Sequence, residues 1–272
     1  METLEALTKQ LSELENKNRK LDRLVQRQQQ QLERQDKIAH ASEQINLSLY
    51  GELDKLSKEL ESERQKAEQL LLNILPASIA ERLKQSPDII ADGIPEATVL
   101  FADIVGFTPL SEKIPPQQLV RLLNDLFSAF DDLTVAHRLE KIKTVGDAYV
   151  VAGGVPDYRA DHASAIADLA LVMQAQSREF AEKTGQPITI RIGINSGPVV
   201  AGVIGKKKYA YDLYGDTVNT AARMESSGVP GEIQVSTSAY ELLKDAYKFT
   251  LRGELEIKGK GLMVTYLLNR RK

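Results

Sequence analysis

The first 75 residues of the chain carry one unbroken heptad pattern and contain no proline. In a single register, nine of eleven a positions and six of ten d positions are apolar. A sustained 3.5-residue period predicts a left-handed coiled coil rather than a globular fold. At about 1.5 Å per residue, the predicted rod is roughly 100 Å long. Its apolar seam consists of Leu4, Leu7, Leu11, Leu14, Leu21, Val25, Leu32, Ala39, Leu49, Leu53, Leu56, Leu60, Ala67, Leu70 and Ile74.

The seam is weak from Gln28 to Asn46, where few core positions are apolar. Asn18 and Asn46 occupy a positions, which costs stability but favours two strands in a fixed register. The segment is therefore either a plain dimerisation rod or a signalling helix whose weak middle lets the register or rotation change. A single solvated helix is a third reading, which the unbroken frame disfavours.

Proline residues predict the boundaries after this rod. Pro76 suits the first turn of a new helix, because its missing N–H would be unsatisfied there in any case. A short amphipathic helix is predicted over 76–84, followed by a linker bracketed by Pro87 and Pro95. We therefore predict three segments: a coiled-coil helix at 1–75, a short helix and linker at 76–96, and a globular domain at 97–272.

Strand and helix patterns alternate from residue 98 onward. Buried strands are predicted at 98–103 and 232–235, a hairpin at 141–151, and two strands at 188–194 and 199–204 joined by a turn at 195–198. Helices are predicted at 117–136, 161–183, 217–225 and 238–244, and the end of the chain is β-rich from 249 to 268. The fold class is α+β, with a mostly antiparallel sheet and a ferredoxin-like β-α-β-β-α-β start.

Two acids stand out in this domain. Asp103 ends a predicted strand, and Asp147 lies at the tip of the predicted hairpin. Two carboxylates at adjacent strand ends can hold two Mg²⁺ ions for an in-line phosphoryl displacement. The turn at 104–108 offers backbone N–H groups to a triphosphate, and no Walker A motif is present. Taken singly, each acid could instead be an ordinary turn residue.

Composition excludes several classes of protein. The formal net charge of −3 gives no general affinity for polyanions, and we interpret the basic run at 206–208 as a solvated hairpin tip, so no nucleic-acid partner is predicted. With no cysteine, disulfides and thiolate metal sites are excluded. The sequence has no signal-peptide pattern and no apolar run long enough for a membrane span, which predicts a cytoplasmic location.

Five ordered motifs over about 170 residues resemble the catalytic domain of class III adenylyl and guanylyl cyclases. They are FADIVGFT at 101–108, EKIKTVGD at 140–147, RIGINSG at 191–197, YDLYGDTVN at 211–219 with AAR at 221–223, and KGKG at 258–261. The resemblance implies an enzyme that makes a cyclic nucleotide and pyrophosphate, with two Mg²⁺ or Mn²⁺ ions per site. A diguanylate-cyclase relative would carry a Gly-Gly-Asp/Glu-Glu-Phe signature at the hairpin, which is absent.

The same resemblance implies a role for each matching residue. Metal ligands would be Asp103, Asp147 and the carbonyl of Ile104, and the turn containing Gly106, Phe107 and Thr108 would hold the phosphates. Arg191 and Lys258 resemble the triphosphate-binding cations, Asn219 the residue that orients the ribose, and Arg223 the residue that stabilises the transition state. Asn219 and Arg223 are four apart, which places them on one helix face.

Lys143 and Asp212 resemble the residues that select the base. Adenine presents an acceptor at N1 and a donor at its exocyclic amine, while lysine only donates and an ionised aspartate only accepts. The pair therefore fits ATP, and guanine has the opposite polarity. Read alone, Lys143 could be a solvated strand lysine and Asp212 a turn residue. Guanylate cyclase activity and a non-catalytic signalling module are the alternatives.

The family pattern also implies sites shared between two subunits in a head-to-tail pair. One subunit would provide Asp103, Asp147 and Arg191, and the other would provide Lys143, Asp212, Asn219, Arg223 and Lys258. This chain has both sets, so we predict a homodimer with two equivalent sites, held together by the coiled coil and the catalytic domains. An upstream sensor or regulatory domain is a further possible partner that the sequence does not name.

Overall fold

The computed structural model describes residues 2–85, 89–205 and 209–272. Pro87 and the basic run at 206–208 lie outside the described residues. The chain forms two compact units, residues 1–69 and 70–272. The first unit belongs to one long helix, and the second holds an α+β domain, so the predicted fold class is confirmed.

The long helix α1 runs without interruption from Glu2 to Leu72. From Leu7 onward, its seam leucines are exposed along the single helix; Leu11 is 62% and Leu53 54% exposed. Ion pairs one turn apart, such as Lys58 Nζ to Asp54 Oδ2 at 2.8 Å, line its polar faces. A long apolar stripe open to water is unfavourable in a monomer. The coiled-coil dimer itself stays a prediction.

The second unit begins with the end of α1 and a short helix. Pro76 precedes α2, Ala77–Gln85, and its carbonyl accepts hydrogen bonds from the backbone N–H groups of Ile79 and Ala80, so Pro76 lies at the start of the helix. Leu75 and Ile79 are buried in the core of this unit. Arg82 is paired with Asp92 on the first strand, with Nη1 to Oδ2 at 2.5 Å. This segment therefore packs as part of the second unit.

An eight-stranded sheet forms the body of this unit. Its strands are β1 Ile90–Ile104, β2 Glu140–Val145, β3 Ala148–Gly153, β4 Ile190–Val203, β5 Tyr211–Tyr214, β6 Ile233–Ser236, β7 Tyr247–Ile257 and β8 Gly261–Arg271. The order is β2-β3-β1-β4-β6-β8-β7, with β5 paired to β4. Only the β4–β6 pairing is parallel among the pairings of the described strands. The first four strands have the predicted ferredoxin-like order.

Helices cover both faces of the sheet. They are α3 Phe107–Lys113, α4 Pro116–Ala136, α5 His162–Thr184, α6 Asp216–Ser226 and α7 Thr237–Leu243. Alternate residues of β1 enter two separate cores, as the period of a strand requires. Leu100 and Ala102 pack with α4, α5 and α7, whereas Ala97 and Val99 pack with α2 and α6. The sheet thus holds α6 on the face opposite α4 and α5.

Two predictions about the central strands differ from the structure. Residues 90–96 were predicted as linker, but β1 starts at Ile90 and pairs with β4 along its whole length. The predicted turn at 195–198 was wrong, because β4 is one continuous strand. The register shifts between Ile94 and Ala97, so that two β1 residues lie opposite Pro198. A bulge of this kind accommodates a residue that cannot donate a ladder hydrogen bond.

Among the described residues, no helix is long and apolar enough to cross a membrane.

Candidate active site

The end of β1 and the tip of the β2–β3 hairpin bring two carboxylates together. Ala102 pairs with Tyr149 across β1 and β3, so Asp103 and Asp147 are neighbours just beyond this pair. Gly146 has a left-handed φ of 63°, which suits glycine at this tight turn. Asp103 and Asp147 interact electrostatically. The predicted two-acid arrangement is therefore present in the fold.

Arg191 lies directly across the sheet from Asp103, as its partner in the β1–β4 register. Its Nη2 is 3.5 Å from Asp103 Oδ2 and 2.7 Å from Glu225 Oε1. Glu225 comes from α6 and is 8% exposed. One cation thus joins carboxylates from a strand and a helix, and Asp147 adds a third acid nearby. We call Asp103, Asp147, Arg191 and Glu225 the acidic cluster.

Burial and crowding raise the proton affinity of this cluster. The pKa of Asp103 is raised to about 7: desolvation is the largest cause, the charges of Glu225 and Asp147 also raise it, and Arg191 opposes the shift. The pKa of Glu225 is also raised, mainly by burial, and its hydrogen bond to Arg191 opposes that shift. Like charges held this close favour a proton or a cation among them.

The turn after Asp103 forms the start of a short helix. Gly106 precedes α3 with φ 69°, and Phe107 and Thr108 are in its first turn. The sequence had predicted an open phosphate-binding turn at 104–108; the structure has a turn at 105–106 followed by helix. Ile104 is buried at the end of β1, beside Asp103.

The two predicted base-reading residues are in direct contact. Lys143 on β2 and Asp212 on β5 are 69 positions apart, yet Lys143 Nζ lies 2.5 Å from Asp212 Oδ2. Asp212 also accepts a hydrogen bond from the backbone N–H of Leu213 at 2.8 Å. Asp212 is therefore a strand residue, not the turn residue that was weighed as an alternative. A donor and an acceptor lie side by side at this point.

Asn219 and Arg223 lie on the exposed face of α6, as their spacing predicted. The opposite face buries Thr217, Thr220, Ala221, Met224 and Glu225. Consequently α6 turns Glu225 toward the acidic cluster and presents Asn219 and Arg223 on its other side. Within one chain, Arg223 therefore faces away from Asp103.

Lys258 is exposed at the tip of the β7–β8 hairpin. In the same tip, Lys260 contacts Asp216, the first residue of α6. The hairpin tip thus lies against the N-terminal end of the helix that carries Asn219. Lys258 is consequently near the N-terminal end of α6, which agrees with the assignment of both to the same half of the site.

Sequence reasoning missed Glu225. The available signal was its position, since residues 217, 221, 224 and 225 share the buried side of α6, and an acid on such a face needs a partner. Arg191 was predicted to bind phosphate only, but in this structure its guanidinium is engaged by Glu225 and Asp103.

The donor atoms near Asp103 have the chemistry that hard divalent cations prefer. Two carboxylates and a main-chain carbonyl are all oxygen ligands, which suits Mg²⁺ or Mn²⁺. Within residues 2–85, 89–205 and 209–272, no group of three or more His, Cys, Asp or Glu side chains is arranged as a complete metal site. The residues fit a metal that takes its remaining ligands from a bound substrate.

Comparison with known proteins agrees with this geometry. Residues 89–270 match the model of the adenylate and guanylate cyclase catalytic domain. The chain belongs to this family. It is 50% identical to an adenylate cyclase of Mycobacterium tuberculosis over 214 residues, 78% of this chain and 48% of that protein. The chain thus spans about half the length of this relative.

Guanylate cyclases are also similar to this cyclase domain. The human guanylate cyclase soluble subunit beta-2 is 45% identical over 219 residues, 80% of this chain and 36% of that protein. The guanylate cyclase domain of RhGC from Catenaria anguillulae, solved in complex with GTP, has a TM-score of 0.65 and 39% identity, covering 66% of this chain and 100% of that domain. Similarity alone therefore does not select the base.

Proposed function

We propose that this chain is an adenylate cyclase that converts ATP to 3′,5′-cyclic AMP and pyrophosphate. The observation that carries the choice of base is the contact between Lys143 and Asp212. N1 and the exocyclic amine are adjacent on the adenine edge, and a paired donor and acceptor match them. Guanine would meet two mismatched polar groups, which discriminates strongly when the bound base excludes water from them.

The reaction joins the ribose 3′-oxygen to the α-phosphorus. It breaks the bond between the α-phosphorus and the oxygen that links it to the β-phosphate, which leaves with the pyrophosphate. Asp103, Asp147 and the carbonyl of Ile104 would hold two Mg²⁺ or Mn²⁺ ions. When bound, such ions acidify the 3′-hydroxyl and stabilise the pyrophosphate leaving group. The backbone at Gly106, Phe107 and Thr108 would lie along the phosphates.

The remaining side chains of the proposed site would bind the triphosphate, stabilise the transition state and orient the ribose. Arg191 and Lys258 would bind the triphosphate, and Arg191 must exchange Asp103 for phosphate oxygens to do so. Arg223 would stabilise charge at the α-phosphate in the transition state, and Asn219 would orient the ribose. Their exposed position on α6 leaves both side chains accessible to a second molecule.

We further propose that each site forms between two copies of the chain. One copy would supply Asp103, Asp147 and Arg191, and the other Lys143, Asp212, Asn219, Arg223 and Lys258. The opposite directions of Glu225 and Arg223 on α6 support this division. The exposed seam of α1 supports a coiled coil that holds the two copies together.

Guanylate cyclase activity is the second candidate, favoured by the guanylate cyclase relatives at 45% identity. Turnover with ATP and GTP side by side, in Mg²⁺ and in Mn²⁺, tests both. The proposal expects cyclic AMP and pyrophosphate from ATP at a kcat/KM at least about 100-fold above that for GTP. Preferential GTP turnover would reassign the base, and no turnover of either would leave a non-catalytic signalling module.

The coiled coil has a matched control within α1. Leu49 and Leu56 are d positions, whereas Leu47 is a b position on the outer side of the same helix, and all three are exposed in the single chain. Leu49→Lys with Leu56→Lys should weaken the dimer at least about tenfold, because the charges would enter the seam. Leu47→Lys should leave the dimer unchanged in sedimentation measurements. If the double variant and Leu47→Lys weakened the dimer equally, the predicted heptad register would be contradicted.

A further inference from the structure

The helix α6 carries proposed catalytic side chains on one face and Glu225 on the other. It is only 11 residues long. Isolated helices of that length are marginal in water, so its position depends on what it packs against. Gly193 of β4 allows the helix to approach the strand closely, since a Cβ atom there would lie 1.9 Å from the backbone nitrogen of Glu225. The helix backbone therefore rests directly on the strand.

A buried carboxamide holds the N-terminal end of α6. Asn195, two residues along β4 from Gly193, is 5% exposed, and its Nδ2 donates to the carbonyl of Thr217 at 3.0 Å. Its Oδ1 accepts from Ser236 Oγ at 2.6 Å and Ser238 Oγ at 2.8 Å. Because both hydroxyls donate to Oδ1, the amide nitrogen is directed at the helix.

A second buried carboxamide holds the C-terminal end. Gln234 of β6 pairs with Gly193 in the β4–β6 register and is fully buried. Its Nε2 donates to the carbonyl of Met224 at 3.1 Å and to Ser227 Oγ at 2.9 Å. Its Oε1 accepts from Arg252, whose Nη1 also donates to the carbonyl of Ser227 at 2.6 Å.

We propose that Asn195 and Gln234 are positioning residues that set the placement of α6, and through it that of Asn219 and Arg223. The inference rests on the proposed function of these two side chains. Neither carboxamide is on α6, and each bonds the helix backbone rather than a reacting group. A displacement of about 1 Å in a group that acts on the transition state can cost about 100-fold in rate.

The first test substitutes Asn195→Asp, which keeps the shape but turns the donor toward Thr217 into an acceptor. We expect kcat for ATP to fall about 10- to 100-fold and KM to change less than about threefold, since Lys143, Asp212 and the acidic-cluster strands are not on α6. Gln234→Met should act in the same direction. Wild-type kcat in both variants would overturn the proposal.

A double-mutant cycle separates positioning from general damage. If Asn195 acts through α6, Asn195→Asp should cost at least about threefold less in an Arg223→Ala background than in wild type, because one of the two side chains that α6 places is already gone. A loss that multiplies in full would overturn the proposal. Thr134→Val is the matched control: Thr134 is buried and hydrogen-bonds Phe130 on α4, away from α6. We expect its kcat within about twofold of wild type.

Hydrogen exchange measured by mass spectrometry gives a readout that needs no turnover. In Asn195→Asp, amides of residues 216–227 should exchange at least about tenfold faster, with β1 and α5 unchanged. If Asn195→Asp does not fold, Ser238→Ala, which removes one of the two donors that orient the carboxamide, takes its place with a smaller change. Unchanged exchange at 216–227 overturns the positioning role. Wild-type protein inactive toward both ATP and GTP overturns the proposed function instead, and the exchange result still decides the role of the carboxamides.

Discussion

The acidic cluster and the exposed face of α6 differ in burial and in charge, although the same helix contributes side chains to both. The cluster is half-buried, crowded with carboxylates and bridged by Arg191. The face with Asn219 and Arg223 is exposed. A half-buried cluster of carboxylates suits metal ions, and an exposed guanidinium suits a charge brought by another molecule. The difference teaches that one chain has two chemically distinct surfaces facing different ways, which under the proposed shared site would be its two complementary halves.

The largest expected effect comes from removing a metal ligand on the buried side. Asp103→Asn should lower kcat/KM for ATP at least about 1000-fold, because a neutral amide replaces a charged oxygen ligand. Pyrophosphate release is the measurement, with sedimentation as the control that the dimer persists. Turnover near wild type would remove Asp103 from the metal site.

The next effect concerns base choice on the other half. Lys143→Glu with Asp212→Ser reverses donor and acceptor, so that the pair matches the N1–H and O6 of guanine. We expect the ratio of kcat/KM for ATP over GTP to fall at least about 100-fold. Each single substitution should weaken turnover of both nucleotides, because one mismatch remains. An unchanged ratio in the double variant would show that these residues do not read the base.

A smaller effect is expected on the pH dependence of activity, which the acidic cluster should set. The pKa of Asp103 is raised to about 7, so activity should fall as the pH drops through about 7 and a proton competes with the metal. Glu225→Gln removes a charge that raises this pKa, so the acid limb of the kcat/KM profile should move to lower pH. The exposed Glu254→Gln is the control and should leave the profile in place. An acid limb that moves to higher pH in Glu225→Gln would contradict the assignment.

Much of the fold followed from sequence periodicity. The long helix, the β2–β3 hairpin, α4 and α5 had strong patterns and lie where predicted. β5 was missed because Asp212, in the middle of this short strand, was weighed as a turn residue, and β4 was divided because Asn195, Gly197 and Pro198 look like a turn. That reading failed because tertiary packing explains these residues: Asn195 donates to the backbone carbonyl of Thr217, and Gly197 leaves room for the Thr217 side chain.

The residues of the candidate site that belong to sequence motifs were predictable, whereas contacts between distant parts of the chain were not. Asp103, Asp147 and Arg191 come together, as do Lys143 and Asp212. The pairing of Arg191 with Glu225 joins residues 34 positions apart on a strand and a helix, a juxtaposition that local patterns do not encode. The roles assigned to these residues remain predictions for the experiments above.

Complementation tests the shared site most directly. Asp103→Ala and Arg223→Ala chains, each reduced to residual turnover alone, are mixed, and heterodimers are verified with two affinity tags. Half of the dimers should be mixed, each with one intact site of two, so about a quarter of wild-type activity should return. Mixing Asp103→Ala with Asp147→Ala, which damage the same half, should restore nothing. If verified heterodimers of Asp103→Ala and Arg223→Ala stay inactive, the two halves do not come from different chains.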